Sequence, residues 1–221
     1  MNKVLRFIKN AHKFKNFIKD NIKYIPKNII RQFIKNNPYK YFEIGFIYQY
    51  YYKNYERMHE YYNKSLDDAN TLVHLGLYYQ NIEWNYDKMK AYYIKAIELD
   101  NSWAMYYLAA FYRSIEHDSD SDTDSDSDSA LIEQYFMKAA KLGNSDAMYQ
   151  LGHYYHHLAA DVVKMKKYYL HAIELDNKLA LRDLSIHYKI GNRITYLKKY
   201  YYMRAVKLND SYCICNRRYF L

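Results

Sequence analysis

The stretch AMYQLGHYYHHLAADVVKMKKYYLHAIELDN, residues 147–177, decides the fold, because its pattern recurs along the chain. Its second half carries Tyr168-Tyr169 with Ala172 three residues on, and the same block returns as Tyr61-Tyr62 with Ser65, Tyr92-Tyr93 with Ala96, Tyr135-Phe136 with Ala139 and Tyr201-Tyr202 with Ala205. The steps between blocks are 31, 43, 33 and 33 residues. Its first half carries Leu151, and Ile44, Leu75, Leu108 and Leu184 are the matching apolar positions. A small residue follows each of these (Gly45, Gly76, Ala109, Gly152, Ser185), and a tyrosine lies four residues on (Tyr48, Tyr79, Tyr112, Tyr155, Tyr188). A period of this length means one supersecondary unit stacked on its own copies.

Spacings of three and four residues between apolar and aromatic positions are helical. Each unit therefore reads as a hairpin, with the Leu-Gly-x-x-Tyr block on helix A and the Tyr-Tyr-x-x-Ala block on helix B. A recurrent glycine inside a helix costs roughly 0.5–1 kcal/mol against alanine, so its column argues for close helix packing. The spacing predicts helices over 39–52 with 55–67, 70–81 with 86–99, 102–115 with 129–142, 145–157 with 162–175, and 178–190 with 195–208. Units end in Asp100-Asn101, Gly143-Asn144, Asp176-Asn177 and Asn209-Asp210, where a stop and the next N-cap stand side by side. The expected fold is all-α, a right-handed α-solenoid of about five stacked hairpins, preceded by a basic helical segment.

Ala147-x-x-x-Leu151-Gly152-x-x-Tyr155, followed by Lys164-Met165-x-x-Tyr168-Tyr169-x-x-Ala172, resembles a Sel1-like repeat, a relative of the tetratricopeptide repeats. The resemblance covers about residues 38–210, with Arg57-Met58 and Lys88-Met89 matching the same block. The chain departs from the family in its short turn between helices, where only Gly191 resembles the usual Gly-x-Gly, and in ending units on Asp-Asn. The resemblance implies a non-catalytic adaptor that binds other proteins.

Two prolines and five glycines in 221 residues leave little room for an all-β or loop-rich fold. The 31 tyrosines bring large buried area with a polar tip. Heavy use of Lys, Asn, Ile and Tyr points to an AT-rich coding sequence, a bias shared with Sel1-like proteins of giant DNA viruses of protists, and a viral origin is the expectation. Cys213 and Cys215 are the only cysteines. Cys213 falls in the small-residue column of Ala147 and Ala180, which reads as packing. No signal peptide is evident, and no apolar stretch approaches the roughly 20 residues of a membrane span. A reducing, cytoplasmic location is expected, with no cofactor and no metal.

Two segments stand outside the repeat. Residues 1–36 hold ten Lys or Arg against Asp20 alone, a net charge equal to the +9 of the whole chain. Val4, Phe7, Ile8, Ala11, Phe14, Ile18, Ile22 and Ile25 recur at helical spacing until Pro26, and Asn28 to Lys35 read as a second short helix. This reads as a cap over the first hairpin's apolar face, as an arm that contacts a polyanion (nucleic acid, anionic membrane or acidic partner), or as both at once. The second segment is the acidic run within residues 117–129, six aspartates alternating with Ser or Thr in the turn of the third hairpin. Its like charges and lack of apolar residues predict a disordered surface loop. Ser119, Ser121, Thr123 and Ser125 each have an aspartate three residues on, a pattern favoured by acidophilic kinases.

Catalytic constellations are missing from the sequence: no Gly-rich phosphate loop, no Gly-x-Ser-x-Gly, and Asn63 where His59-Glu60 would need a second histidine for zinc. His153 and His157 stand one helical turn apart, but no carboxylate or cysteine at helical spacing completes a metal site. Five residues after the helix-A marker come Gln49, Gln80, Arg113, His156 and Lys189, an increasingly basic stripe on the wall that helices A line, flanked by Tyr106, Tyr149, His153 and Arg182. The expected partner is an unidentified protein or peptide carrying carboxylates, met by Arg113 and Lys189, with Gln80 bonding its backbone.

Overall fold

The computed structural model describes residues 26–118, 125–190 and 195–215. Among them there is no strand, and the helices fall in two compact units, Met1–Leu99 and Asp100–Leu221. In unit 1, α1 is Lys27–Asn36, α2 is Tyr41–Ile47 continued by a π-turn Tyr48–Tyr52, α3 is Tyr55–Tyr62, α4 is Ala69–Asn81 and α5 is Tyr86–Glu98. In unit 2, α6 is Ser102–Asp118, α7 Ser125–Lys141, α8 Ser145–His157, α9 Val162–Glu174, α10 Lys178–Ile190, α11 Thr195–Lys207 and α12 Ser211–Cys215. The five predicted hairpins are α2/α3, α4/α5, α6/α7, α8/α9 and α10/α11, and each unit is all-α and built of such hairpins.

The A-helix caps form where the sequence puts them, and the B helices have caps of their own. Asn54, Asn85 and Asp161 start the B helices by accepting from the backbone N–H of Arg57, Lys88 and Lys164 at 2.9, 3.0 and 2.9 Å. Asn101, Asn144, Asn177 and Asp210 do the same for A helices, taking the N–H of Ala104, Ala147, Ala180 and Cys213. Each cap satisfies a backbone donor that the helix leaves open and is worth about 1 kcal/mol. The residue before these A-helix caps is left-handed, with φ of 54° at Asp100, 82° at Gly143, 58° at Asp176 and 59° at Asn209. A second left-handed site turns helix A into helix B at Lys53, Trp84 and Ala160. The short turn thus keeps the geometry that a glycine would favour while carrying side chains, and Trp84 stands 69% exposed there.

The two tyrosines of the helix-B block have different duties. The first stacks on the helix-A tyrosine, with ring centroids 5.5 Å apart for Tyr48–Tyr61, 5.4 Å for Tyr79–Tyr92, 5.6 Å for Tyr155–Tyr168 and 5.9 Å for Tyr188–Tyr201. The second is fully buried and lies on the helix-A glycine: a methyl added at Gly45, Gly76 or Gly152 would overlap the ring of Tyr62, Tyr93 or Tyr169. Each glycine is therefore a seat for one ring. Ala109 and Ser185, at the same column, are also fully buried.

Three boundaries differ from expectation by three residues or more. Helix α3 stops at Tyr62, five residues early, because the Ser65 hydroxyl bonds the Tyr62 carbonyl and Thr71 Oγ1 and draws the chain into a turn. Helix α6 runs to Asp118 and α7 begins at Ser125, so helical backbone enters the acidic run from both sides; residues 119–124 lie outside the described part. The short helix expected over Asn28 to Lys35 forms as α1, with Ile30 and Phe33 buried against Phe46 and Ile47. Residues 1–25, which hold the longer amphipathic pattern, lie outside the described part, as does Gly191.

Candidate functional site

The stripe residues divide between the units. In unit 1, Gln49 is buried, accepting the Tyr62 hydroxyl at 2.8 Å and donating to the His74 carbonyl at 3.3 Å. Gln80 accepts the Tyr93 hydroxyl at 2.9 Å in the same way. These glutamines stand 13 residues before the tyrosine they satisfy. The column five residues after the marker is thus first the hydroxyl partner of the seated ring.

In unit 2 the same column carries Arg113 and His156, and the predicted flanking residues gather around them. The Arg113 guanidinium lies 5.2 Å over the Phe136 ring, where no hydroxyl needs an acceptor. Tyr106 contacts Phe136 at 6.0 Å and hydrogen-bonds Gln150, joining α6 to α8. Tyr149 stacks on Tyr169 at 5.9 Å and donates to Asp183 Oδ2 at 2.9 Å. Burial and then the Asp183 charge push the Tyr149 hydroxyl up to about 12, so it stays protonated at ordinary pH and keeps its proton for Asp183. Arg182 pairs with Asp183 Oδ1 at 3.0 Å and covers Tyr212 at 5.5 Å. His153 lies 4.3 Å from His157, His157 4.3 Å from His156, and His156 5.5 Å from His187. Partial burial lowers the pKa of His153, His156 and His187, and the His157 ring beside His153 and His156 lowers theirs further.

Tyr169 is the exception among the seated tyrosines. Its hydroxyl is buried without a hydrogen-bond partner, and so is His156 Nδ1 beside it, the ring centroids 6.5 Å apart. Burial and the nearby Asp183 charge raise the Tyr169 pKa well beyond the ordinary range.

Among the predicted residues, Tyr106, Arg113, Tyr149, His153, His156 and Arg182 thus come together in unit 2, and Gln80 belongs to unit 1. The side chain of Lys189 and those of Ser119, Ser121, Thr123 and Ser125 lie outside the described part. Asp183 and His187 were missed by sequence reasoning. A signal existed for His187: its column holds Ile47, Tyr78, Phe111 and Tyr154 in the other copies, so an imidazole there departs from the pattern. Among the described residues no group of three or more His, Cys, Asp or Glu is placed to hold a metal ion, and no helix is long and apolar enough to cross a membrane.

This architecture is that of Sel1-like repeats, and solved structures bear out the resemblance at the level of fold. A Sel1 repeat protein from Oxalobacter formigenes superposes with a TM-score of 0.67 at 20% identity, over 96% of this chain and 84% of that one. A protective antigen of uropathogenic Escherichia coli, described as displaying an SLR fold, superposes with a TM-score of 0.61 at 19% identity over 78% of this chain. The match spans 38% of the antigen's length. By sequence the chain matches no family model and no curated protein.

Proposed function

We propose that the protein is a non-catalytic interaction scaffold whose unit 2 receives a carboxylate-bearing segment of a partner protein on the helix-A face of α6, α8 and α10. The observation that carries this reading is the convergence of Tyr106, Arg113, Tyr149, His153, His156 and Arg182 on neighbouring A helices. Aromatic edges give contact area, and the cationic groups supply charge-assisted hydrogen bonds of the kind that recognise acidic peptides. Rigid helices hold these groups in place, which lowers the ordering cost of binding. A labelled oligoglutamate peptide titrated against the full chain, followed by fluorescence anisotropy, tests it. Arg113→Glu with Lys189→Glu should weaken binding about tenfold or more, since each reversal replaces attraction with repulsion. Unchanged affinity would overturn the reading.

One observation favours a second contact through residues 1–36. On α1, Lys27, Arg31 and Lys35 are exposed while Ile30 and Phe33 are buried, so this helix covers apolar surface and also displays cations. Polyanion binding there should weaken steeply between about 50 and 200 mM salt and vanish when residues 1–35 are deleted.

A further inference from the structure

Four imidazoles touch in sequence on α8 and α10, in the order His153, His157, His156 and His187. The charged and titratable groups facing them can be placed on each neighbouring helix. On α6 stand Arg113, whose charge reaches His153, and Tyr106. On α8 stands Tyr149, and Asp146 acts on Tyr106. On α9 lie Tyr169 and Lys166, the latter over Tyr188 and acting on His187. On α10 stand Arg182 and Asp183.

The permanent charges on this face nearly cancel: Arg113 and Arg182 oppose Asp146 and Asp183, with Lys166 at the edge. A strong positive field therefore requires the imidazoles to take up protons. His153, His156 and His187 are partly withdrawn from water, and the rings stand beside one another, so charging one is opposed by its neighbour. An anion laid across the patch reverses that balance, because it stabilises each charged ring and offsets the repulsion between them.

Resting on the acidic-segment reading above, we propose that His153, His156 and His187, with the His157 ring between them, form a proton-linked recognition patch, at which docking of a carboxylate-bearing peptide draws protons from solvent onto the first three imidazoles. No bond is made or broken, and the protons come from the buffer. By linkage, a ligand that takes up about one proton binds up to tenfold tighter for each unit the pH falls. The peptide's own glutamates remain ionised above about pH 5.5, so they do not account for the uptake.

Calorimetric titration of the full chain with an oligoglutamate peptide tests this, at about pH 7 in two buffers of different ionisation enthalpy. The expected result is a heat that differs between the buffers by the equivalent of about one proton taken up. Both the uptake and the binding should fall in Arg113→Glu, and in His153→Gln with His187→Gln the uptake should fall and the binding should weaken with it. Binding with equal heats in both buffers overturns the proton-linked patch and leaves the acidic-segment reading standing. Binding that survives unchanged in Arg113→Glu belongs to another surface and overturns both. A chain that binds no peptide at any pH also overturns both.

Discussion

In unit 1 the seated tyrosines Tyr62 and Tyr93 hand their hydroxyl protons to Gln49 and Gln80; in unit 2 Tyr169 meets His156, and neither polar atom finds a partner. The rings rest on equivalent glycines in both units, so the apolar half of the packing is the same. Glutamine presents a permanent acceptor. An imidazole accepts only when neutral, and in the orientation found its Nδ1 bonds to nothing. One repeat thus gives up a satisfied hydrogen bond at the place where histidines gather.

The strongest way to break this comparison is to remove the seated ring. Tyr93→Ala and Tyr169→Ala should each cost about 3–5 kcal/mol in urea unfolding, with similar values in the two units. Next, Gly76→Ala and Gly152→Ala should each lose about 1–3 kcal/mol despite the better helix propensity of alanine, because the added methyl meets a fully buried ring. A neutral result at either glycine would show that the ring has room to move. Deleting only the hydroxyl should then separate the units. Tyr62→Phe strands the buried Gln49 carbonyl and should cost about 1–3 kcal/mol, whereas Tyr169→Phe removes an unpaired group and should be neutral or slightly stabilising. Equal costs would mean that Tyr169 is satisfied after all. His156→Gln, which rebuilds the unit-1 pairing in unit 2, should gain about 0.5–1.5 kcal/mol.

Acidity sharpens the same contrast. His153, His156 and His187 are harder to protonate in the folded chain than in the unfolded one, so the unfolded chain binds more protons as pH falls. Their stabilising contribution is complete above the unfolded value of about 6.5 and is lost as pH drops through the lower folded values. In unit 1, burial lowers His59 in the same way. Hydrogen exchange should therefore show α8 and α9 losing more protection than α4 and α5 between about pH 7.5 and 5.5.

The hairpins, their caps and their order were legible because each copy repeats the same local signals, and five near-copies average out the ambiguity of one. Asn101, Asn144, Asn177 and Asp210 could be read as caps from spacing alone. The early end of α3 could not, because it depends on Ser65 meeting Thr71 across a turn. The site was half legible. Helical register put Tyr149, His153 and His156 near one another, and α10 brought Arg182. What register could not show is that in unit 1 the stripe column looks inward at a tyrosine hydroxyl. The relation was present as a 13-residue offset from Gln49 to Tyr62 and from Gln80 to Tyr93, but it has meaning only once the two helices face each other. Asp183 was hidden for a similar reason, since its importance comes from the Tyr149 hydroxyl on the neighbouring hairpin.

The placement of Trp84 on its left-handed turn also gives the molecule an optical handle. The chain has two tryptophans, Trp84 in unit 1 and Trp103 in unit 2. The first stands largely in water, and the second stacks on Tyr107 at 5.8 Å. Each half of the chain thus carries its own fluorophore in a distinct setting. Replacing one leaves an emission signal from the other, by which the two halves can be watched separately as they melt, titrate or bind.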